Sequence, residues 1–148
     1  MSNHYLHVSW LDFHRDTRRL SEHFKEDPEQ WKGIIAITRG GLVPAAIMAR
    51  ELNIRFIDTI CISSYDNNES QADLQILKTL NGENKEDGKG LIVLDDLVDS
   101  GRTLRTVRTM LPKAHYAAVY AKPKGKDILD TFGIEVEQST WLVFPWEE

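Results

Sequence analysis

The run Leu91-Ile92-Val93-Leu94-Asp95-Asp96-Leu97-Val98-Asp99-Ser100-Gly101-Arg102-Thr103 gathers the residues of this chain best suited to chemistry. A buried apolar strand over 91–94 carries two adjacent carboxylates to its carboxyl end. A third acid follows, and then a turn of small residues that opens a helix. At a helix N-terminus, Ser100, Gly101 and Thr103 present backbone amides and hydroxyls to a phosphate, with the helix dipole behind them and no Gly101 side chain to block close approach. Asp95 and Asp96 can accept hydrogen bonds from a diol or help to hold a hard, oxygen-preferring cation such as magnesium. Asp99, near the anion site but directed elsewhere, can act as a general acid or base. Singly, each residue has a plainer reading: solvated acids at a strand end, and Ser100 as a helix cap. Three acids within five residues, followed by Ser-Gly-Arg-Thr behind an apolar strand, fit a site better than a coincidence. The pattern G-x-x-x-x-G-K-[ST] does not occur, so this is not a P-loop.

Such a strand end needs a sheet to hold it. Residues 5–10 read as a short strand, after which Trp10, Phe13, Thr17, Leu20 and Phe24 recur at helical spacing and predict a helix ending before Pro28. Gly33-Ile34-Ile35-Ala36-Ile37-Thr38 suits a strand buried on both faces, Arg39-Gly40-Gly41 a turn, and 42–52 a helix. Asn53 is a plausible stop, and the isoleucine-rich stretch 54–62 reads as another buried strand. Long polar tracts at 64–71 and 81–88 flank one regular piece, 74–80; inside a compact domain such loops are functional lids or disordered. Regularity returns with the strand 91–94, a loop over 95–101, a helix to Leu111 and a strand over 116–121. Alternating strands and helices imply a parallel sheet covered on both faces, with ligands at the carboxyl ends of its strands.

Composition bounds the function. The 148 residues suffice for one domain, 1–148, that buries on the order of two thirds of its unfolded surface. With 18 Lys+Arg against 23 Asp+Glu and a net charge of -5, a broad nucleic-acid-binding face is not expected. Cys61 is the single cysteine, which excludes an internal disulfide and points to a reducing compartment. Between Ile60 and Ile62 it reads as a buried small hydrophobe. No apolar run approaches the ~20 residues that span a bilayer, and Met1-Ser2-Asn3-His4 lacks the apolar core of a signal peptide, so a cytoplasmic location is expected.

The segment 91–103 resembles the phosphoribosyl-pyrophosphate signature of type I phosphoribosyltransferases, and the chain is similar to their bacterial purine members. The stretches 31–44 around Arg39-Gly40-Gly41, Ile62-Ser63-Ser64-Tyr65-Asp66, Ala121-Lys122-Pro123 and 141–146 support it in family order. The resemblance implies an α/β type I phosphoribosyltransferase fold, with a central, mostly parallel sheet flanked by helices and a small hood from the C-terminal segment. It also implies a reaction, in which an oxopurine (guanine, xanthine or hypoxanthine) attacks C1 of phosphoribosyl pyrophosphate, with Mg2+ required. By the same resemblance, Asp95 and Asp96 bind the ribose hydroxyls, Asp96 is tied to magnesium, and Leu97, Val98 and Asp99 line the sugar-phosphate loop. Ser100, Gly101, Arg102 and Thr103 hold the 5'-phosphate, while Arg39 and Gly40 form the pyrophosphate turn, where relatives have a cis peptide. Asp99 sits near N7 of the purine, Lys122 donates to its 6-oxygen, Trp141 stacks on the ring, and the backbone at Leu142 reads the group at C2. A homotetramer or homodimer is implied and, more weakly, peripheral association with the inner membrane.

Departures from the family pattern bear on substrate choice. No Lys or Arg stands between Arg55 and Lys78, where a basic residue is expected in the loop closing over the phosphates; Gln71-Ala72-Asp73 occupies that stretch. Arg102 replaces a glycine, Val143 and Phe144 stand where polar residues are expected, and the tail after Trp146 is short. Two rivals are weighed. A protein of this fold that binds phosphoribosyl pyrophosphate or nucleotide as a sensor, without catalysis, is the alternative; the presence of Asp99, Lys122 and Trp141 favours the enzyme. A phosphoacceptor receiver domain also pairs two acids with a Lys-Pro, but there the acid pair follows the first strand, so the order fails.

Overall fold

The structure is a computed structural model that describes residues 4–64, 74–80 and 85–147. The tract 65–73, including Gln71-Ala72-Asp73, and residues 81–84 lie outside the described residues. The elements in chain order are β1 (His4–His7), α1 (Trp10–Glu22), β2 (Gly33–Ile37), α2 (Leu42–Glu51), β3 (Ile57–Ser64) and β4 (Leu74–Lys78). They continue with β5 (Leu91–Val98), α3 (Arg102–Met110), β6 (His115–Ala121), β7 (Thr131–Glu135) and β8 (Thr140–Val143), joined in places by short 3-10 turns.

Six strands form one sheet in the order β4-β3-β2-β5-β6-β7. All its pairings are parallel except β3 with β4, which is antiparallel and carries a register shift between Cys61 and Ile62. Period-two alternation explains the burial on both faces. Ile34, Ala36, Ile92, Leu94, Ala117 and Val119 face the cluster containing Phe13, Leu20 and Met48 of α1 and α2. Their neighbours Ile35, Ile37, Val93, Tyr116 and Ala118 face Leu104 and Val107 of α3.

Ser9 caps α1, its Oγ accepting from the Asp12 amide at 3.0 Å. The predicted inner face holds at Phe13, Thr17, Leu20 and Phe24. Trp10 belongs to the helix and not to the strand before it, and it is exposed. Asp16 takes an inner position instead, because the buried Tyr120 hydroxyl donates to its carboxylate and Arg15 Nε lies 3.1 Å from it. Asn53, at φ 53°, follows α2 as expected. Cys61 is half-buried, a correction to the fully buried position expected, since β3 lies next to the sheet edge.

Two corrections matter for the site. The stretch 95–98 is strand and not loop: β5 passes the end of its pairing with β2 at Leu94 but stays paired with β6 up to Val98 alongside Ala121. The small second sheet is not built by the C-terminal segment alone, for β8 pairs in parallel with β1, setting Trp141 beside Tyr5 and Leu142 beside Leu6. Among the described residues no helix is long and apolar enough to cross a membrane.

Candidate active site

The carboxyl ends of β2, β5 and β6 bring most of the predicted residues to one edge of the sheet. Asp95 and Asp96 leave the shared register of β2 and β5 together and are only partly exposed. Each carboxylate accepts from the following backbone amide, Asp95 Oδ1 from Asp96 at 2.9 Å and Asp96 Oδ1 from Leu97 at 2.6 Å. Burial, together with the charge of Asp96, pushes the Asp95 carboxyl well above the usual carboxylate range, and burial raises Asp96 as well. A pair held this way favours a counter-charge. No cluster of three or more His, Cys, Asp or Glu suited to a metal occurs among the described residues. The donor set is therefore one or two carboxylate oxygens, which matches a magnesium ion that takes its remaining ligands from substrate oxygens and water.

Beyond Val98, Asp95 and residues 97–104 line a pocket of about 180 Å3 at the start of α3. Asp99, Ser100, Gly101, Arg102 and Thr103 thus surround one cavity. Ser100 is not the helix cap: Gly101, at φ 86°, holds that position, and Ser100 Oγ accepts only a long 3.4 Å contact from the Arg102 amide. The first turn of α3 consequently carries no side-chain cap, and its amides face the pocket mouth as donors for an anion.

Arg39 and Gly40 lie on the other side of the acid pair. The Thr38-Arg39 peptide is cis. A Cβ on Gly40 would stand 2.6 Å from Asp96 Oδ1, and one on Gly41 would stand 2.4 Å from the Leu94 carbonyl, so only glycines let this turn lie against the end of β5. Arg39, Gly40, Leu42, Val43 and Asp96 share a recess of about 850 Å3 with Trp146 and Glu147. The latter two were not foreseen at the site. Trp146 is partly a core residue, stacked on Phe144 with centroids 4.8 Å apart, yet it also walls this recess. No sequence signal places Glu147 there, because the approach is made by the last turn of the chain.

Lys122 is 5% exposed at the end of β6, and its amide donates to Val98 at 2.9 Å. Its Nζ stands 3.3 Å from Asp99 Oδ2, so the fold joins the two residues assigned to the purine. The opposite oxygen of Asp99 accepts from Gln138 Nε2 at 2.6 Å, a contact sequence reasoning missed. Trp141 is 61% exposed on β8, as a stacking platform would be, whereas Leu142 is buried. Neither lines the phosphate pocket or the recess.

An open, mostly parallel sheet whose central strand ends in paired acids above an uncapped helix start, with a glycine turn folded against those acids, defines the type I phosphoribosyltransferase architecture. The chain belongs to the phosphoribosyltransferase family: the profile of the phosphoribosyl transferase domain matches residues 9–148. It is 54% identical over 140 residues to a xanthine-guanine phosphoribosyltransferase of Desulfotalea psychrophila, covering 95% of this chain and 84% of that one. The crystal structure of a purine phosphoribosyltransferase from Pyrococcus horikoshii aligns over 97% of this chain and 95% of its own, with a TM-score of 0.81 and 26% identity. A xanthine-guanine-hypoxanthine phosphoribosyltransferase from Helicobacter pylori shares the fold at a TM-score of 0.74 and 21% identity, over 99% of this chain and 94% of its own.

Proposed function

We propose that this chain is a purine-salvage enzyme, a single domain that transfers the phosphoribosyl group from phosphoribosyl pyrophosphate to N9 of an oxopurine. The observation that carries the reading is the Asp99–Lys122 contact beside the helix-start pocket, since it sets a proton-handling group and a carbonyl donor next to a phosphate cradle. The 54% identical xanthine-guanine relative supports the same class of base.

In this reading the C1–O bond to pyrophosphate breaks and a C1–N9 bond forms, with positive charge developing on the ribose as in an oxocarbenium ion. The amides and hydroxyls at 100–103 hold the 5'-phosphate, and Arg39 and the Gly40 backbone hold the pyrophosphate. Asp95 and Asp96 take the ribose hydroxyls, and their charge faces the developing cation. Asp99 moves the purine proton at N7. Lys122 offers only donors, so it suits a 6-oxo group and disfavours a 6-amino group. Trp141 stacks on the base, and the Leu142 backbone reads the group at C2. Asp96, together with oxygens of the substrate, would hold a magnesium ion, which when bound would supply positive charge beside the pyrophosphate. We also propose a cytoplasmic homo-oligomer, dimer or tetramer, with membrane association at most peripheral and no nucleic-acid partner.

The test is incubation of the protein with phosphoribosyl pyrophosphate, Mg2+ and guanine, xanthine or hypoxanthine, following pyrophosphate and nucleotide release. Turnover on at least one base, abolished by a chelator, is expected. Tight binding of phosphoribosyl pyrophosphate with no turnover on any of the three would replace the enzyme with a sensor.

A further inference from the structure

Gln138 lies in the loop between β7 and β8, three residues ahead of Trp141. Its amide is oriented by a contact that leaves no choice of assignment. The Lys124 backbone N–H donates at 2.9 Å, and only the oxygen of the side-chain amide can accept it. The NH2 end is thereby turned to Asp99 Oδ1 at 2.6 Å. On the other carboxylate oxygen, Lys122 Nζ stands at the longer distance of 3.3 Å.

We infer that Gln138 is a positioning residue for Asp99: its amide grips Oδ1 and leaves Oδ2 as the oxygen that exchanges the purine proton. The inference rests on the roles proposed for Asp99 and Lys122. Asp99 is 61% exposed, and a carboxylate turns readily about its last torsion, so without a second anchor its direction is set by Lys122 alone. Lys122 is also the group that has to turn to the 6-oxygen of an arriving base. When it does, the long contact to Oδ2 is given up, and the short one to Gln138 keeps the carboxylate in place. A neutral amide suits this role. A cation at 138 would compete with Lys122 for Asp99 and hold its charge too firmly, and a carboxylate would repel it. Because the Gln138 oxygen is tied to the turn after β6, the same side chain also couples the β5–α3 loop to the turn following Lys122.

Gln138→Ala and Gln138→Glu test this with three measurements: kcat and KM with the preferred oxopurine, calorimetric affinity for phosphoribosyl pyrophosphate, and the 13C chemical shift of the Asp99 carboxyl at fixed pH. The Asp99 carboxyl has Lys122 facing it from the end of β6 and the Gln138 amide from the β7–β8 loop. Gln138→Ala is expected to lower kcat by about tenfold or more, as for a lost hydrogen bond to a charged group, with phosphoribosyl-pyrophosphate affinity held within about threefold. The Asp99 carboxyl resonance moves in Gln138→Ala, because the donor at 2.6 Å is lost, and the loss of kcat is larger in Gln138→Glu, where a like charge repels the carboxylate. A kcat within about twofold of the parent, an equal loss of phosphoribosyl-pyrophosphate affinity, or an unmoved Asp99 resonance overturns the inference. If the parent turns over no oxopurine while the Asp99 resonance still moves in Gln138→Ala, the purine-transferase reading fails and the anchoring of Asp99 by Gln138 stands.

Discussion

Replacing Gly40 with alanine is expected to weaken phosphoribosyl-pyrophosphate binding while the fold survives, and Gly41→Ala next to it is expected to cost chiefly stability. A methyl group at Gly40 would stand 2.6 Å from one Asp96 carboxylate oxygen and 2.7 Å from the other, about 0.8 Å inside the 3.4 Å at which ordinary contact begins. That neighbour is a side chain and can swing toward the recess, at the expense of its bond from the Leu97 amide. The stability loss is then about that of one hydrogen bond to a charged group, roughly 1.5–3 kcal/mol. For binding, a displacement of about 0.8 Å is more than a third of the 2.0–2.1 Å Mg–O bond that Asp96 is proposed to make, so affinity falls by about tenfold or more. Gly41 has no such outlet. Its methyl would meet the Leu94 carbonyl at 2.4 Å and the Ile37 backbone at 2.8 Å, all within the two central strands. Its stability loss should therefore exceed 3 kcal/mol, beyond the usual range of about 1–3 for overpacking. Urea unfolding and calorimetric titration of phosphoribosyl pyrophosphate with Mg2+ read the two quantities separately. The reasoning is refuted if Gly40→Ala binds within about twofold of the parent, or if the two variants lose equal stability.

Further perturbations have expected outcomes. Asp95→Asn should stabilise the ligand-free protein at neutral pH: a carboxyl whose folded-state pKa is raised favours the native state below its unfolded value and loses that advantage as pH climbs through the folded one. The melting temperatures of parent and variant should converge at pH 4 and separate toward pH 8, by roughly 2–4 °C for each kcal/mol, and a separation that shrinks with rising pH would reverse the assignment. Asp99→Asn should cut kcat by about a hundredfold or more with phosphoribosyl-pyrophosphate affinity little changed; an unchanged kcat removes Asp99 from proton transfer. Tyr120→Phe deletes the buried hydroxyl that donates to Asp16 and should cost about 1–3 kcal/mol in urea unfolding, whereas a neutral result would mean that Arg15 alone satisfies that carboxylate.

The grouping of residues 95–103 and of the Arg39-Gly40 turn at one end of the sheet was legible because its signals are local. An apolar strand, adjacent acids and a small-residue turn occupy consecutive positions, and the short continuous apolar runs of β2, β5 and β6, alternating with helices, placed them in a sheet. The extension of β5 over 95–98 was hidden because two aspartates look like the end of a strand; pairing with β6, a long-range contact, overrode that local preference. Asp16 on the inner face of α1 and Trp10 exposed at its start fail for the same reason, since the partners that decide their burial, Tyr120 and Trp146, lie more than a hundred residues away. Strands β7 and β8 carry too weak an alternation to be read unaided. Gln138 had no signal at all: an isolated glutamine in a polar loop acquires meaning only when two other loops close around it.

The parallel ribbon of β1 with β8 has a consequence for the order in which the site can come together. It sets His4 beside Thr140 and Tyr5 beside Trp141, joining residues from opposite ends of the chain. The phosphate-binding half is drawn from two strand-to-helix turns between Gly33 and Met110, whose contacts close much shorter loops. Loop-closure entropy favours the local half first and leaves the base platform to the last pairing. On the roles proposed, a chain with its central sheet formed and β8 not yet docked would present Asp99 and Lys122 without Trp141 to stack on the base.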